Sequence, residues 1–434
     1  MNNDKMQGSK GGPSMEELRD TVVQEFGDEI WTAVKAGLGV IGSLSINHRE
    51  NCLTLIFEGA SGRGKSSVIN LLSPDRPEAR DFLYRLDKFT PKSFVTHSAS
   101  IPAAEIKNID LLPQITNKTL LVKELAPLFR GRDQELTDTF ATLTAILDGR
   151  GFKSSSGVRG TRGYEGQYAF NWLGATTPIP AHTDAIMAQL GNRLLRYEIV
   201  GQDISDEELM EYAENGDSLL GEVECRKAVN DYLISHFQRH PINSFDQRKI
   251  NFEGDAVRQL VNLAKLISHG RVEISQMDVG EEEPEVVAGL PEGPHRVIQY
   301  LRTILKGLAL VSGRERITDE DLNIIRHIAF SSLPSHRRQV LRALLVGHGM
   351  LDSKKAEETL GISRPTARAW MKELAATAIA SWTEGKGNQP DMLTLGGKWG
   401  WLLPPREEQN AGAPDESAAE SDMRVCVTAP AESN

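Results

Sequence analysis

The run Leu53-Thr54-Leu55-Ile56-Phe57-Glu58 is apolar and partly β-branched, and it leads without a break into Gly59-Ala60-Ser61-Gly62-Arg63-Gly64-Lys65-Ser66. An apolar-periodic segment, Ser67-Val68-Ile69-Asn70-Leu71-Leu72, follows directly. Strand, loop and helix in that order, with the loop matching G-x-x-x-x-G-K-[ST] at every fixed position, form a phosphate-binding unit. Gly59, Gly62 and Gly64 let the backbone curl so that successive N–H groups face phosphate oxygens. Ala60, Ser61, Arg63 and Ser67 complete the wrapped segment, and the helix start adds its positive dipole end. Lys65 would neutralise the β- and γ-phosphates, and the Ser66 hydroxyl would complete a Mg²⁺ shell. The ligand implied is a nucleoside triphosphate, ATP, with Mg²⁺.

Around this unit the chain has 434 residues, 39% apolar and 25% charged, enough for about three domains and at least one sizeable core. That composition excludes a wholly disordered or fibrous chain. No apolar stretch approaches the roughly 18 residues of a membrane span, and the polar, Gly-rich start is not a secretory signal. Cys52, Cys225 and Cys426 lack metal or redox spacing and read as reduced thiols of a cytoplasmic protein.

The net charge of −11 is unevenly spread. Residues 277–294 hold six acids and no Lys or Arg, and read as an exposed acidic loop. Residues 405–434 carry seven acids against Arg406 and Arg424 in an Ala-, Pro- and Ser-rich tail too poor in apolar residues to fold. Between them, residues 336–404 hold ten basic against six acidic side chains, a modest pointer to a nucleic-acid surface.

A triphosphate-hydrolysing site needs carboxylates near the loop for Mg²⁺ and for the attacking water. Thr119-Leu120-Leu121-Val122-Lys123-Glu124 is the best strand to supply them, with Glu124 as base and Mg²⁺ partner. Lys123 stands where a first carboxylate is expected, so Glu58 or Asp148 would have to substitute. Residues 136–147 read as an amphipathic helix stopped at Asp148-Gly149. Two strand-like runs, 151–154 and 167–173, flank a Gly-rich segment with Arg159 and Arg162, which suggests a long hairpin with a basic tip. The second run ends at Thr176-Thr177, and Thr177, with Thr176 as the second choice, is the candidate to reach the γ-phosphate or the water. Arg193 precedes a closing strand, the position from which a guanidinium would complete a neighbouring subunit's site.

The order of these features resembles the AAA+ ATPase superfamily, a P-loop fold with a small helical lid. Residues 59–66 match its Walker A motif, 122–124 an altered Walker B, Thr177 sensor 1 and Arg193 the arginine finger. The hairpin before sensor 1 resembles the clade containing the minichromosome-maintenance (MCM) helicases. That resemblance implies a hexameric ring with Arg159, Arg162 and Lys153 directed at DNA in its pore. Arg296, opening a helix after Pro294-His295, matches the family's sensor 2. Thr318-Asp319-Glu320-Asp321 forms a good helix N-terminus by capping chemistry. The chain departs from the MCM helicases in having only about 50 residues before the loop, with nothing like their zinc-containing N-terminal region.

Residues 353–360 and 364–374 form two helical runs joined by Gly361-Ile362-Ser363, a helix-turn-helix pattern. Ser363 caps the second helix, and Ala356, Leu360, Ile362, Ala367 and Leu374 make its small core. Arg364, Thr366, Arg368 and Lys372 are left for a major groove and its phosphates. Residues 378–382 and 392–395 around a Gly-containing turn read as a β-wing.

The expected fold is α/β: a P-loop AAA+ core with a parallel five-stranded sheet, an α-helical lid and a C-terminal winged helix. The expected divisions are a disordered start (1–14), a helical segment (15–45), the core (46–200), the lid (201–335), the winged helix (336–404) and a disordered tail (405–434). The expected function is a ring-forming ATPase acting on DNA. The alternatives are an ATP-gated DNA-binding regulator and a scaffold subunit working with an operon-encoded protein partner.

Overall fold

The computed structural model describes residues 12–48, 51–97, 102, 105–156, 160–201, 205–207, 210, 213, 218–277, 285–387 and 389–404. The expectations of disorder at 1–11 and 405–434, the basic tip residue Arg159, and Cys426 lie outside the described residues. The chain divides into two units, residues up to Leu260 with Ile298–Ile328, and Val261–Val297 with residues from Ala329 onward. No described helix is long and apolar enough to cross a membrane.

The first unit holds β1 (Leu53–Glu58), β2 (Leu83–Leu86), β3 (Thr119–Val122), β4 (Gly151–Ser156), β5 (Gly160–Glu165), β6 (Asn171–Thr176) and β7 (Leu195–Glu198). Five of them form a wholly parallel sheet in the order β2-β3-β6-β1-β7. Every residue of β1, β3 and β6 is buried. That is why these strands read as nearly continuous apolar runs: helices cover both faces of a parallel sheet. On one face Phe94, Leu112, Phe129, Phe140, Leu143 and Trp172 belong to a single apolar cluster. The expected α/β fold with a five-stranded parallel sheet is what the chain adopts.

Helix α1 (Met15–Gly42) opens with a capping box, Ser14 Oγ accepting from Glu17 N at 3.1 Å while Glu17 accepts from Ser14 N at 2.7 Å. Gly27 interrupts it at φ 78°, so two helical pieces meet at a kink. The second piece is buried almost throughout from Ile30. Helix α2 (Lys65–Leu71) follows residues 59–64.

The hairpin before β6 differs from expectation. β4 pairs antiparallel with β5, Phe152 facing Tyr164, whereas residues 167–170 form a connection and 171–176 enter the main sheet. Glycines break the apolar alternation of 160–165, which hid this strand. At Gly163 (φ 133°) a Cβ would run into the Phe152 carbonyl, so the tight pairing needs glycine. Phe152, Tyr164 and Tyr168 pack on the apolar cluster beneath.

The second unit holds β8 (Ile274–Met277), β9 (Glu285–Ala288), β10 (Met350–Asp352), β11 (Ala380–Thr383) and β12 (Met392–Leu395). β8 and β9 pair antiparallel, so the segment expected to be a loop at 277–294 contains a strand. The acidic residues masked a short β-branched stretch, Val286-Val287, that can pair. Helices Ser335–Val346, Ser353–Leu360 and Arg364–Ala376 enclose a core with Leu341, Leu344, Ala356, Ala367, Met371 and Leu374. Leu360 and Ile362 pack on that core half-buried. Asp352 caps the helix Ser353–Leu360 through the Lys354 and Lys355 amides at 2.9 and 2.8 Å, and Gly361 ends it in the left-handed region. β10, β12 and β11 then form an antiparallel sheet in that order.

Candidate functional site

Residues 59–66 leave the C-terminal end of β1, between β6 and β7. The Gly59 amide donates to the Thr176 carbonyl at 3.3 Å, and the Ile199 amide donates to the Glu58 carbonyl at 2.7 Å, so both neighbours clamp the root of the loop. Ligands of open parallel sheets bind at this edge. Gly62 and Gly64 sit at φ 81° and 82°, and Gly64 is the left-handed residue that starts α2. Lys65 is buried, its Nζ turned back into the loop and donating to the Ala60 carbonyl at 2.5 Å. Burial pushes the Lys65 ammonium below its usual range, and the nearby negative Glu124 partly opposes this. A lysine short of solvent inside a curled loop is matched to a multiply charged oxyanion, so the residues fit ATP; Ser66, next in line, would be the Mg²⁺ ligand.

β3 ends at Val122, one strand removed from β1, with β6 between them. Glu124 is exposed just past that end, and one of its oxygens accepts from the Ala126 amide at 2.8 Å. Thr176 is the last residue of β6, opposite Glu58, and Thr177 follows it. Lys65, Glu124 and Thr177 therefore stand along one edge of the sheet. Among the described residues there is no cluster of three or more His, Cys, Asp or Glu that could hold a metal by itself. Mg²⁺ would thus rely on Ser66, Glu124 and the phosphates together.

The two proposed substitutes for the missing carboxylate are otherwise engaged. Glu58 is buried, accepts from the Ile179 amide at 2.8 Å and faces Arg196, which pairs with Asp184. Arg196 is itself buried, and its two carboxylate neighbours hold its charge in place against the burial penalty. Asp148 lies by the start of β1, where the Cys52 amide donates to the Leu147 carbonyl, at the sheet edge away from the loop.

Asp148 is the partner of Arg193. The Arg193 Nε lies 3.1 Å from Asp148 Oδ1 and its Nη1 donates to Gly191 O at 2.8 Å. With 9% exposure, this guanidinium is packed against its own chain. Arg162 is likewise drawn inward. It pairs with the fully buried Asp110 at 3.2 Å and donates to the Thr96 carbonyl, so it is not a tip residue. Tyr164 donates to the same carboxylate at 2.7 Å. Lys153 pairs across the hairpin with Glu165.

In the second unit, Arg364 pairs with Glu357 at 2.9 Å, and Arg368 with Asp391 at 2.6 Å and Glu384 at 3.7 Å. Thr366 Oγ1 joins the Ser363 cap at 2.8 Å, and Lys372 Nζ lies 5.8 Å from the Trp382 ring centre. Arg296, the second residue of helix His295–Val311, faces Glu292 at 3.7 Å.

Sequence reasoning missed three features near the loop. Ile30 of α1 closes on Gly64, and Glu29 accepts from the Val200 and Gly201 amides at 2.8 and 3.0 Å. The Arg63 side chain packs on Gly201. Arg130 Nη2 lies 3.4 Å from Thr177 Oγ1. Only Gly27, breaking the helical pattern ahead of Glu29, signalled that α1 does more than pack.

A scan against protein-family models finds no match, and neither does a search of curated proteins. Among solved structures, this chain is similar to one from Cytophaga hutchinsonii provisionally named an ATPase, at 12% identity and TM-score 0.36, covering 73% of this chain and 86% of that one. The α/β P-loop fold stands on this chain's own sheet order and loop.

Proposed function

We propose that this protein binds ATP and Mg²⁺ at residues 59–66, hydrolyses ATP with Glu124 as base, and assembles as a ring, a hexamer, that acts on DNA. The observation that carries the reading is the placement of Lys65, Glu124 and Thr177 along the sheet edge at which the Gly-rich loop emerges. Lys65 and Ser66 hold phosphate and Mg²⁺, and Glu124 orients and deprotonates water. The helix-turn-helix contacts phosphates through Arg364, Arg368 and Lys372, with Thr366 at the helix start. The Arg364–Glu357 pair does not stand in the way: an exposed pair contributes only about 0–1 kcal/mol and exchanges readily for phosphate, whereas Arg368, tied to the buried Asp391, offers a phosphate only its free guanidinium edge.

A second reading is an ATP-gated DNA-binding regulator, with weak hydrolysis. It is favoured by Lys123 in the carboxylate position and by Arg193 being held in its own subunit. Calorimetric titration of ATP into the native chain and Lys65→Ala tests the shared part: the native chain binds and the variant does not, and equal affinities would sink the assignment. Steady-state hydrolysis with and without single- and double-stranded DNA, with Glu124→Gln as control, separates a motor from a switch.

A further inference from the structure

We propose that Arg130 reads the terminal phosphate of the bound nucleotide, and is the cation by which this chain distinguishes ATP from ADP. The inference rests on the nucleotide reading of residues 59–66 and deepens it.

Four observations lead there. The chain leaves β3, passes Glu124 and makes one short 3₁₀ turn, Ala126–Phe129, so Arg130 is delivered to the same sheet edge as the loop. Its Nη2 lies 3.4 Å from Thr177 Oγ1, and Thr177 follows directly on Thr176, whose carbonyl holds the Gly59 amide. The guanidinium thus stands one strand from the first residue of the loop, beside the hydroxyl placed to meet the γ-phosphate. Third, Arg130 is exposed and has no acidic partner among the described residues, unlike Arg162, Arg193, Arg196, Arg364 and Arg368. Fourth, Lys65 at that edge reaches back into the loop and so serves the phosphates nearest it.

A γ-phosphate extending past the loop toward Glu124 meets Thr177 as a neutral donor and Arg130 as a charged, two-pronged one. The guanidinium fork matches two oxygens of a phosphoryl group, which an ammonium cannot do. ADP leaves the fork without an anion to hold, so the residue's contribution appears only with the triphosphate.

The test is calorimetric titration of Mg²⁺ with ADP and with the non-hydrolysable analogue adenylyl imidodiphosphate into the full chain, Arg130→Ala, Arg130→Lys and Lys65→Ala. Arg130→Ala should lose about 10- to 100-fold in analogue affinity, the range of a charged hydrogen bond, while ADP affinity stays within about threefold. Arg130→Lys should recover part of the loss. No change in either affinity, or an equal loss for both nucleotides, would overturn the assignment of Arg130. A native chain that binds neither nucleotide would overturn the nucleotide reading itself, and with it the role of Arg130.

Discussion

Arg193 Nε and Asp148 Oδ1 are 3.1 Å apart at the sheet edge remote from the nucleotide loop, where the Arg193 carbonyl also receives the Thr54 hydroxyl at 2.6 Å. The pair joins the end of one helix to the approach to β7. Replacing Asp148 by Asn removes the charge partner of a buried guanidinium that keeps its bond to Gly191. The expected cost is about 1 kcal/mol, a fall in thermal midpoint of about 2–4 °C, with ATP affinity unchanged. A variant Arg193→Ala that melted normally yet lost hydrolysis would show the residue acting on a neighbour instead.

The hairpin is anchored by Asp110. Its carboxylate is fully buried and takes the Thr96 amide at 2.7 Å, the Tyr164 phenol and Arg162. Burial and this carboxylate push the Tyr164 phenol well above its usual range. Asp110→Ala strands a guanidinium and should cost about 3–5 kcal/mol, whereas Tyr164→Phe should cost about 1 kcal/mol. Urea denaturation measures both, and limited proteolysis should find the hairpin cut early in the first variant only.

Acid should weaken the fold through His236. The ring is buried beside Ser45 Oγ at 3.2 Å, and burial, with His240 and Arg239 nearby, pulls its pKa down to about 3. The unfolded chain takes up this proton near pH 6.5, the folded chain only near pH 3. Stability is therefore whole above about pH 6.5 and falls as the pH drops between those values, by up to about 1.4 kcal/mol per pH unit. Urea midpoints at pH 7.5 and pH 5 should differ more for the native chain than for His236→Gln; equal differences would clear His236 of this role.

The proposed DNA contact by the helix-turn-helix carries a salt signature. If Arg364 and Arg368 each neutralise a phosphate, replacing either by Ala should lower the slope of log affinity against log salt by about 1. Fluorescence anisotropy with duplexes of unrelated sequence should show the same loss for each. An unchanged slope in both variants would move the surface from DNA to protein docking.

The Gly-rich loop and its two flanking elements were legible because the whole pattern is contiguous, from Leu53 to Leu72. The helix-turn-helix was legible for a similar reason: its caps, Asp352 and Ser363, lie within three residues of the amides they hold. What stayed hidden depends on distant partners. Arg162 finds Asp110 across 52 residues and Arg193 finds Asp148 across 45, and nothing local to either arginine distinguishes it from a free one. The hairpin's second strand was hidden by its own glycines, and β9 by the acids before it. Glu29 and Ile30 reach the loop from just past the kink at Gly27, and a sequence shows the break but not its direction.

The interposed strand β6 makes the main sheet a ruler. Ile56 of β1, Gly174 of β6 and Val122 of β3 are aligned across the ladder, as are Leu55, Leu173 and Leu121. The spacing between the phosphate loop, Thr177 and Glu124 is therefore counted in residues from those rungs. One residue inserted into β6 would slide Thr177 by about 3.3 Å and turn its side chain to the other face of the sheet. Descendants of this chain can change the six residues from Asn171 to Thr176 in identity, but a change in their number moves Thr177 off its rung.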